Sequence, residues 1–553
     1  MSGGGGVVNA QGIHEEHAGQ ALLIYCLLKI CIGNANEVFV RKIMAFDKWF
    51  DAGQSYIRLI IIIFSVALLA KGAAIFRGFA VDDYIFIHGV KPEELIVFFS
   101  QGRYIMAATV WAVDSLGANI NDMYFPLGIA TLFLQAILVV SILRFVGMED
   151  SPSAGLVGAL MVAHPYLAET LTFRMVLPGY SVALIFSILT LEMVSRSPAT
   201  WHTRVFALLS TFAMLLTYQA FLNYFAVAII FAFFFGQGVK NRNNQSVAAN
   251  NVYRERAISL AIICVISALA FVLITGLTKA LGLIEVTGRA NFIGFSDIPE
   301  RIDQISSSLV NIYWAAEPVF PGWLKILFLL MIAMSLAIVF GYSFAQRKCN
   351  DKSVGRLFSA LFAVSILIPV SLGVILVFKD WWPVPRVIAH ISIAIGLIFL
   401  LADSYIRDLD GRHLKSIILF SRLITLVGFL IINNQILADQ QTINEWDRMK
   451  ANRIVSRLEM SPNFGNVKYV HIEGGTWGYP AKLRTIQGDM NMSAFFPDYS
   501  KVSLLTGVSG YMFEKATGAK AIIGKTYCES KQPWPHAESI AIDNDIAIIC
   551  LKK

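Results

Sequence analysis

The sequence predicts a polytopic, all-α membrane protein of about eleven transmembrane helices, carrying a small soluble α/β domain at its C-terminal end. Three observations predict it. The 553 residues are 56% hydrophobic and only 15% charged, with a mean hydropathy of +0.62, far from the balance of soluble globular chains. Apolar runs of about 20 residues, the length that crosses a bilayer core, recur between positions 57 and 438. After residue 440 the runs stop, and a charged helix pattern followed by short strand patterns takes over.

Taken in order, residues 1–56 read as a flexible N-terminus with an interfacial helix. MSGGGG opens the chain without the basic region of a signal peptide. ALLIYCLLKICIG, 21–33, is interrupted by Lys29 and is too short to span. Spans are expected near 57–77, 126–146, 155–172, 178–195, 204–219, 221–237, 257–282, 323–342, 356–378, 386–403 and 416–438. The net charge of +7 is spread over short connections rather than gathered on one face. That spread suits positive-inside topology better than a nucleic-acid partner, and none is expected. Arg196, Arg204, Lys240, Arg242, Arg254, Arg256, Arg347, Lys348, Lys352, Arg356, Arg407, Arg412 and Lys415 then fall inside, and the long connections 78–125 and 283–322 fall outside. An odd number of crossings places the C-terminal domain, 439–553, outside as well. Within it NEWDRMKANRIVSRLE reads as a helix, and KYVHIEGG, KAIIGKTYC and DIAIICLKK read as strands. The six cysteines show no metal-binding spacing. Only Cys528 and Cys550 share a polar region, where a disulfide can form if that region lies outside the cytoplasm, although the sequence does not decide whether it does.

The residues with chemistry cluster at the outer end. FRGFAVDDYIFIHG, 76–89, sets Asp82 and Asp83 where the chain leaves the first span, and carboxylates at a membrane edge are costly. Adjacent residues point in different directions, so the two divide their work, with Asp82 slightly favoured over Asp83 as a base. KPEELIVFFS and GRYIMAATVWAVDSLG in the same loop have helical spacing but not spanning length, as surface helices do. His164, Glu169 and Arg174 sit in the third connection, where an ion pair of Glu169 with Arg174 is the plain structural alternative. Tyr218 and Gln219 occupy a tight turn, and Lys379, Trp381, Trp382 and Arg386 lie in KDWWPVPR. The tryptophans are ordinary interfacial belt residues. A carboxylate can take the proton of a sugar hydroxyl attacking an anomeric carbon, and arginines can hold the departing phosphate. Arg103, Arg174 and Arg386 come from three connections and are the candidates to meet on one phosphate.

These segments together resemble the bacterial and phage O-antigen glucosyltransferases of the serotype-conversion type. FAVDDYIFIHG followed by QGRYIMAATVWAVDSLG is similar to that family's first outer loop. HPYLAETLTFRM matches its proline, glutamate and arginine segment at Pro165, Glu169 and Arg174; TYQAF its Tyr-Gln turn; and PVPRV its Pro-Arg element at Pro385 and Arg386. The resemblance implies a GT-C type fold and inverting transfer of a hexose, glucose first, from undecaprenyl phosphate to lipopolysaccharide O-antigen. It places that transfer at the periplasmic face of the inner membrane. Asp82 and Asp83 would be catalytic; Arg103, Glu169, Arg174, Tyr218, Gln219 and Arg386 would bind substrate. The implied partners are a polyprenyl-phosphate-linked sugar donor, an O-antigen or other glycan acceptor and membrane lipids. Tyr104 and Met175–Leu177 depart from the family's usual residues, which bears on the sugar and acceptor rather than on the reaction class.

No cofactor is required by the sequence, and a divalent metal is neither called for nor excluded, since one acidic pair supplies too few oxygens for a site. A transporter or flippase of a lipid-linked saccharide is the second reading. Intramembrane polar residues suit it, whereas the long outer loops, the folded outer domain and the lack of internal repeats do not. A non-catalytic scaffold is the third, and it leaves the gathering of acids and arginines on one face unexplained.

Overall fold

A computed structural model describes residues 52–75, 78–87, 89–196, 200–235, 248–285, 287–315, 321–345, 352–406, 412–481, 483 and 492–552. The interfacial helix expected at 21–33 lies outside them. The chain divides into two compact units. Of Met1–Arg58 only the start of the helix Ala52–Lys71 is described; Leu59–Lys553 holds everything that follows.

Seven helices among the described residues are long and apolar enough to cross a membrane: Tyr56–Ile75, Tyr124–Val146, Arg174–Ser195, Val252–Ala280, Gly322–Tyr342, Pro385–Ile406 and His413–Glu459. An eighth is the pair Ala154–Ala163 and Pro165–Thr172, bent by 51°. Shorter helices stand at the three other positions where a span was expected: Trp201–Leu215, Leu222–Phe235 and Lys352–Val370. By length and composition the protein is therefore a polytopic, mainly helical membrane protein; among the described residues seven or eight helices are long and apolar enough to span, and shorter helices stand at the three remaining positions of the eleven expected.

The bend at residue 164 has a local cause. Pro165 has no N–H and cannot continue the helix, and the Tyr166 N–H turns to His164 Nδ1 at 3.3 Å. The carbonyls released must find donors in a dry interior. Lys71 Nζ reaches Val162 O at 2.7 Å, and Asn433 Nδ2 reaches Ala163 O at 2.7 Å. Two polar side chains on separate spans thus hold the break open.

At the C-terminal end a four-stranded sheet runs in the order β2, β1, β4, β3, with β1 Tyr469–Glu473, β2 Glu514–Lys515, β3 Ile540–Asp543 and β4 Ile546–Cys550. β1 is parallel to both β2 and β4, while β3 and β4 form a hairpin around Asn544, whose φ is +52°. KAIIGKTYC, expected as a strand, lies instead in the helix Gly518–Glu529. Its Ile522 and Ile523 suggest a strand, yet both are exposed; the packed position is Gly524, where a Cβ would strike the His471 ring. Cys528 and Cys550 are joined in a disulfide.

A continuous 48-residue helix, Arg412–Glu459, links the apolar bundle to this sheet. Its last turns contribute Ala451, Ile454, Val455 and Leu458 to the core beneath β1 and β4, and that core also receives Val81 and Tyr84. The two come from the 3₁₀ helix Val81–Phe86, whose period of three puts both on one side. The acidic loop is thereby anchored to the C-terminal core through its apolar positions.

Candidate active site

With Val81 and Tyr84 buried, the acids between them are forced apart. Asp83 is fully buried; its Oδ2 accepts the Ala80 N–H at 2.9 Å and its Oδ1 the Met175 N–H at 2.9 Å. Burial pushes its carboxyl up to about 7, against the pull of those two N–H groups and of the Arg174 charge. It pins the 3₁₀ helix to the segment after residue 174. Asp82 takes the other direction. It lines a cavity of about 690 Å³, where its Oδ1 accepts the Tyr499 hydroxyl at 2.5 Å.

Across that cavity stand cations from three segments, Arg103, Arg289 and Arg386. Arg103 follows Gly102, whose φ of +70° is a left-handed conformation and whose missing Cβ would press on the Phe271 ring. The Arg103 guanidinium lies 4.7 Å from the centre of the Tyr218 ring, and Nε is 3.4 Å from Gln219 Oε1. Gln219 is held in turn by donating from Nε2 to Gln101 O at 3.0 Å. Burial lowers the Arg103 pKa to about 10, which leaves it charged at neutral pH.

Arg386 opens the short helix Pro385–Ile388, beside Glu169, which is fully buried. Glu169 accepts from Arg386 twice: its Oε1 takes the guanidinium at 2.7 Å and its Oε2 the backbone N–H at 2.8 Å. The ion pair weighed between Glu169 and Arg174 is thus replaced by one between Glu169 and Arg386, and Glu169 sets the direction of a cavity arginine without lining the cavity.

Arg174 does not join the other two. It lines a neighbouring cavity of about 430 Å³, donates from Nε to Gly78 O at 2.8 Å and from NH1 to Asn121 O at 3.2 Å, and lies between the Phe79 and Tyr124 rings. It clips the acidic loop in place. The third cavity arginine is Arg289, which the sequence reading passed over. Its loop is fastened by Thr287 N–H to Ser100 O at 3.0 Å and by Asp380 N–H to Gly288 O at 3.2 Å. A second Gly-Arg pair, in the second long connection, was the available signal.

Glu93 and Glu94 add further acids to the wall, and Tyr499, Ser503 and Lys515 close it from the C-terminal end. Among the described residues no group of three or more His, Cys, Asp or Glu side chains is placed to hold a metal ion. Asp380 lines the cavity as well. A half-buried carboxylate at Asp82, in a cavity that also holds three guanidiniums, is an arrangement for deprotonating one group while stabilising negative charge on another.

A model of the Glucosyl transferase GtrII family matches residues 72–403. The chain belongs to that glucosyl transferase family. The match runs over Asp82, Arg103, Arg289 and Arg386, while Tyr499, Ser503 and Lys515 lie beyond it. No curated protein and no solved structure matches the chain. As a GtrII family member the protein is a glycosyltransferase of the membrane, acting between a sugar donor and a glycan acceptor.

Proposed function

We propose that this GtrII family protein transfers glucose from undecaprenyl phosphate to lipopolysaccharide O-antigen at the periplasmic face of the inner membrane, with inversion at the anomeric carbon. The observation that carries the reading is Asp82 facing Arg103, Arg289 and Arg386 across one cavity. In the proposed step Asp82 takes the proton of the acceptor hydroxyl. The hydroxyl oxygen bonds to the anomeric carbon from the face opposite the phosphate. The bond from that carbon to the phosphate oxygen breaks, and its electron pair leaves with polyprenyl phosphate. The three guanidiniums receive the charge that grows on the departing phosphate. In the present structure the Tyr499 hydroxyl occupies the Asp82 position that an acceptor hydroxyl would take. A disulfide between Cys528 and Cys550 supports an oxidising compartment for the C-terminal part.

Loss of a general base typically costs 10²–10⁴-fold in rate. Asp82→Asn is therefore expected to abolish, in mass spectra of lipopolysaccharide from expressing cells, the hexose increment that the wild-type gene adds, with the protein still inserted at wild-type amount. Undiminished glucosylation by Asp82→Asn would remove Asp82 from the reaction. A purified protein that moves the lipid-linked sugar across a vesicle bilayer without transferring it would favour a flippase instead.

A further inference from the structure

A further cavity, of about 560 Å³, opens at the carboxyl ends of β1 and β2, where open α/β sheets take their ligands. The volume is within the roughly 300–1,000 Å³ usual for small-molecule sites. Its walls carry balanced charge. Glu473 Oε2 lies 3.3 Å from His471 Nε2, and Lys501 Nζ donates to Asp498 Oδ1 at 2.6 Å. Lys515 adds a second cation, and burial draws His471 below its ordinary pKa, toward the neutral ring. Two carboxylates and two ammonium groups leave no net charge, and no arginine lines the cleft.

Phe496 lines the same cleft, 41% exposed, with its ring 5.1 Å from that of the partly exposed Trp477. Exposed aromatic faces beside paired hydrogen-bonding groups are suited to a pyranose, whose C–H face stacks while its hydroxyls bond at the edges. The cleft also adjoins the reaction cavity. Lys515 lines both, and the turn that starts the helix Lys501–Ser509 separates them. Asp498, Lys501 and Val502 face the cleft, whereas Tyr499 and Ser503 face the cavity of Asp82.

We infer that this cleft is a saccharide-binding subsite that holds an uncharged segment of the acceptor glycan, from which the reacting sugar extends past Lys515 to Asp82. The inference rests on the transferase reading, and its test has a readout that does not need transfer. Full-length protein in detergent is titrated with delipidated O-polysaccharide from its source bacterium, followed by saturation-transfer NMR without donor. Wild type is expected to bind, Phe496→Ala and Asp498→Asn to weaken binding at least tenfold, and Lys525→Gln, on an exposed face of the same sheet-bearing part, to bind as wild type. Both cleft substitutions fall on partly exposed side chains, and unchanged melting temperatures verify that they fold. Equal binding by all variants, or no binding by wild type, overturns the assignment. Displacement of the polysaccharide by inorganic phosphate overturns it too, by marking an anion site. Polysaccharide bound through this cleft by a protein that leaves lipid-linked glucose uncleaved would sink the transferase reading alone.

Discussion

Adjacent acids in a 3₁₀ turn cannot share an environment, and Asp82 and Asp83 are separated by the burial of Val81 and Tyr84 on either side of them. That separation has a pH signature. Folding raises the Asp83 carboxyl from 3.8 to about 7, so across that interval the folded protein keeps a proton that the unfolded chain has released. Stability from this source is fully present below about pH 4 and is lost as pH rises through about 7. In thermal unfolding, the margin of wild type over Asp83→Asn is expected to shrink over that window; a margin that grows would contradict the assignment. The sequence disclosed the two acids, and their adjacency showed that they would divide their work. It could not disclose that Arg174 is spent on Gly78 O and Asn121 O, or that Glu169 serves Arg386, because both depend on which segments meet in space.

Among the elements, the connections carry more of the site than the helices do. The tight turn at Tyr218 and Gln219 and the helix after Gly102 were readable from turn residues and apolar spacing. Arg289 had only its Gly-Arg pair as a signal, since its place depends on a loop paired with residues 377–380 through backbone bonds. KAIIGKTYC was misread because β-branched residues on an exposed helix face imitate a strand. Gly102 offers a direct test of the loop geometry. Alanine there must adopt a left-handed conformation that costs about 1–2 kcal/mol, with its Cβ 2.9 Å from Phe271 Cζ. Because a misplacement of about 1 Å can cost 10²-fold, Gly102→Ala is expected to lower transfer by a factor of about ten or more while lowering the melting temperature only modestly. Wild-type transfer by this variant would mean that Arg103 tolerates displacement.

Over the whole molecule, the membrane-spanning character and the small sheet were legible in composition and pattern, while the shortness of several apolar helices and the break of one at Pro165 were not. Nor was the intimacy of the two parts: Leu59–Lys553 is one compact unit, and the C-terminal segment supplies Tyr499, Ser503 and Lys515 to the cavity. The Cys528–Cys550 disulfide ties the helix Gly518–Glu529 to β4. Cys528→Ser is expected to lose about 2–4 kcal/mol, read as earlier proteolysis of the C-terminal segment, and equal protease resistance would show the bond to be dispensable. The helix Arg412–Glu459 adds a consequence of its own. At about 1.5 Å per residue its 48 residues extend about 72 Å, more than twice the roughly 30 Å of a hydrocarbon core. The Asn444 side chain meets Phe79 on the acidic loop, and Asp447 meets Ser493 on the sheet-bearing part. The rod therefore sets both height and phase, like the thread of a screw. One alanine inserted after Leu437 would turn everything beyond it by about 100° and lift it about 1.5 Å, carrying Tyr499 away from Asp82. Such an insertion is expected to silence transfer without touching a single cavity residue, whereas the same alanine added after Lys552 should leave it intact.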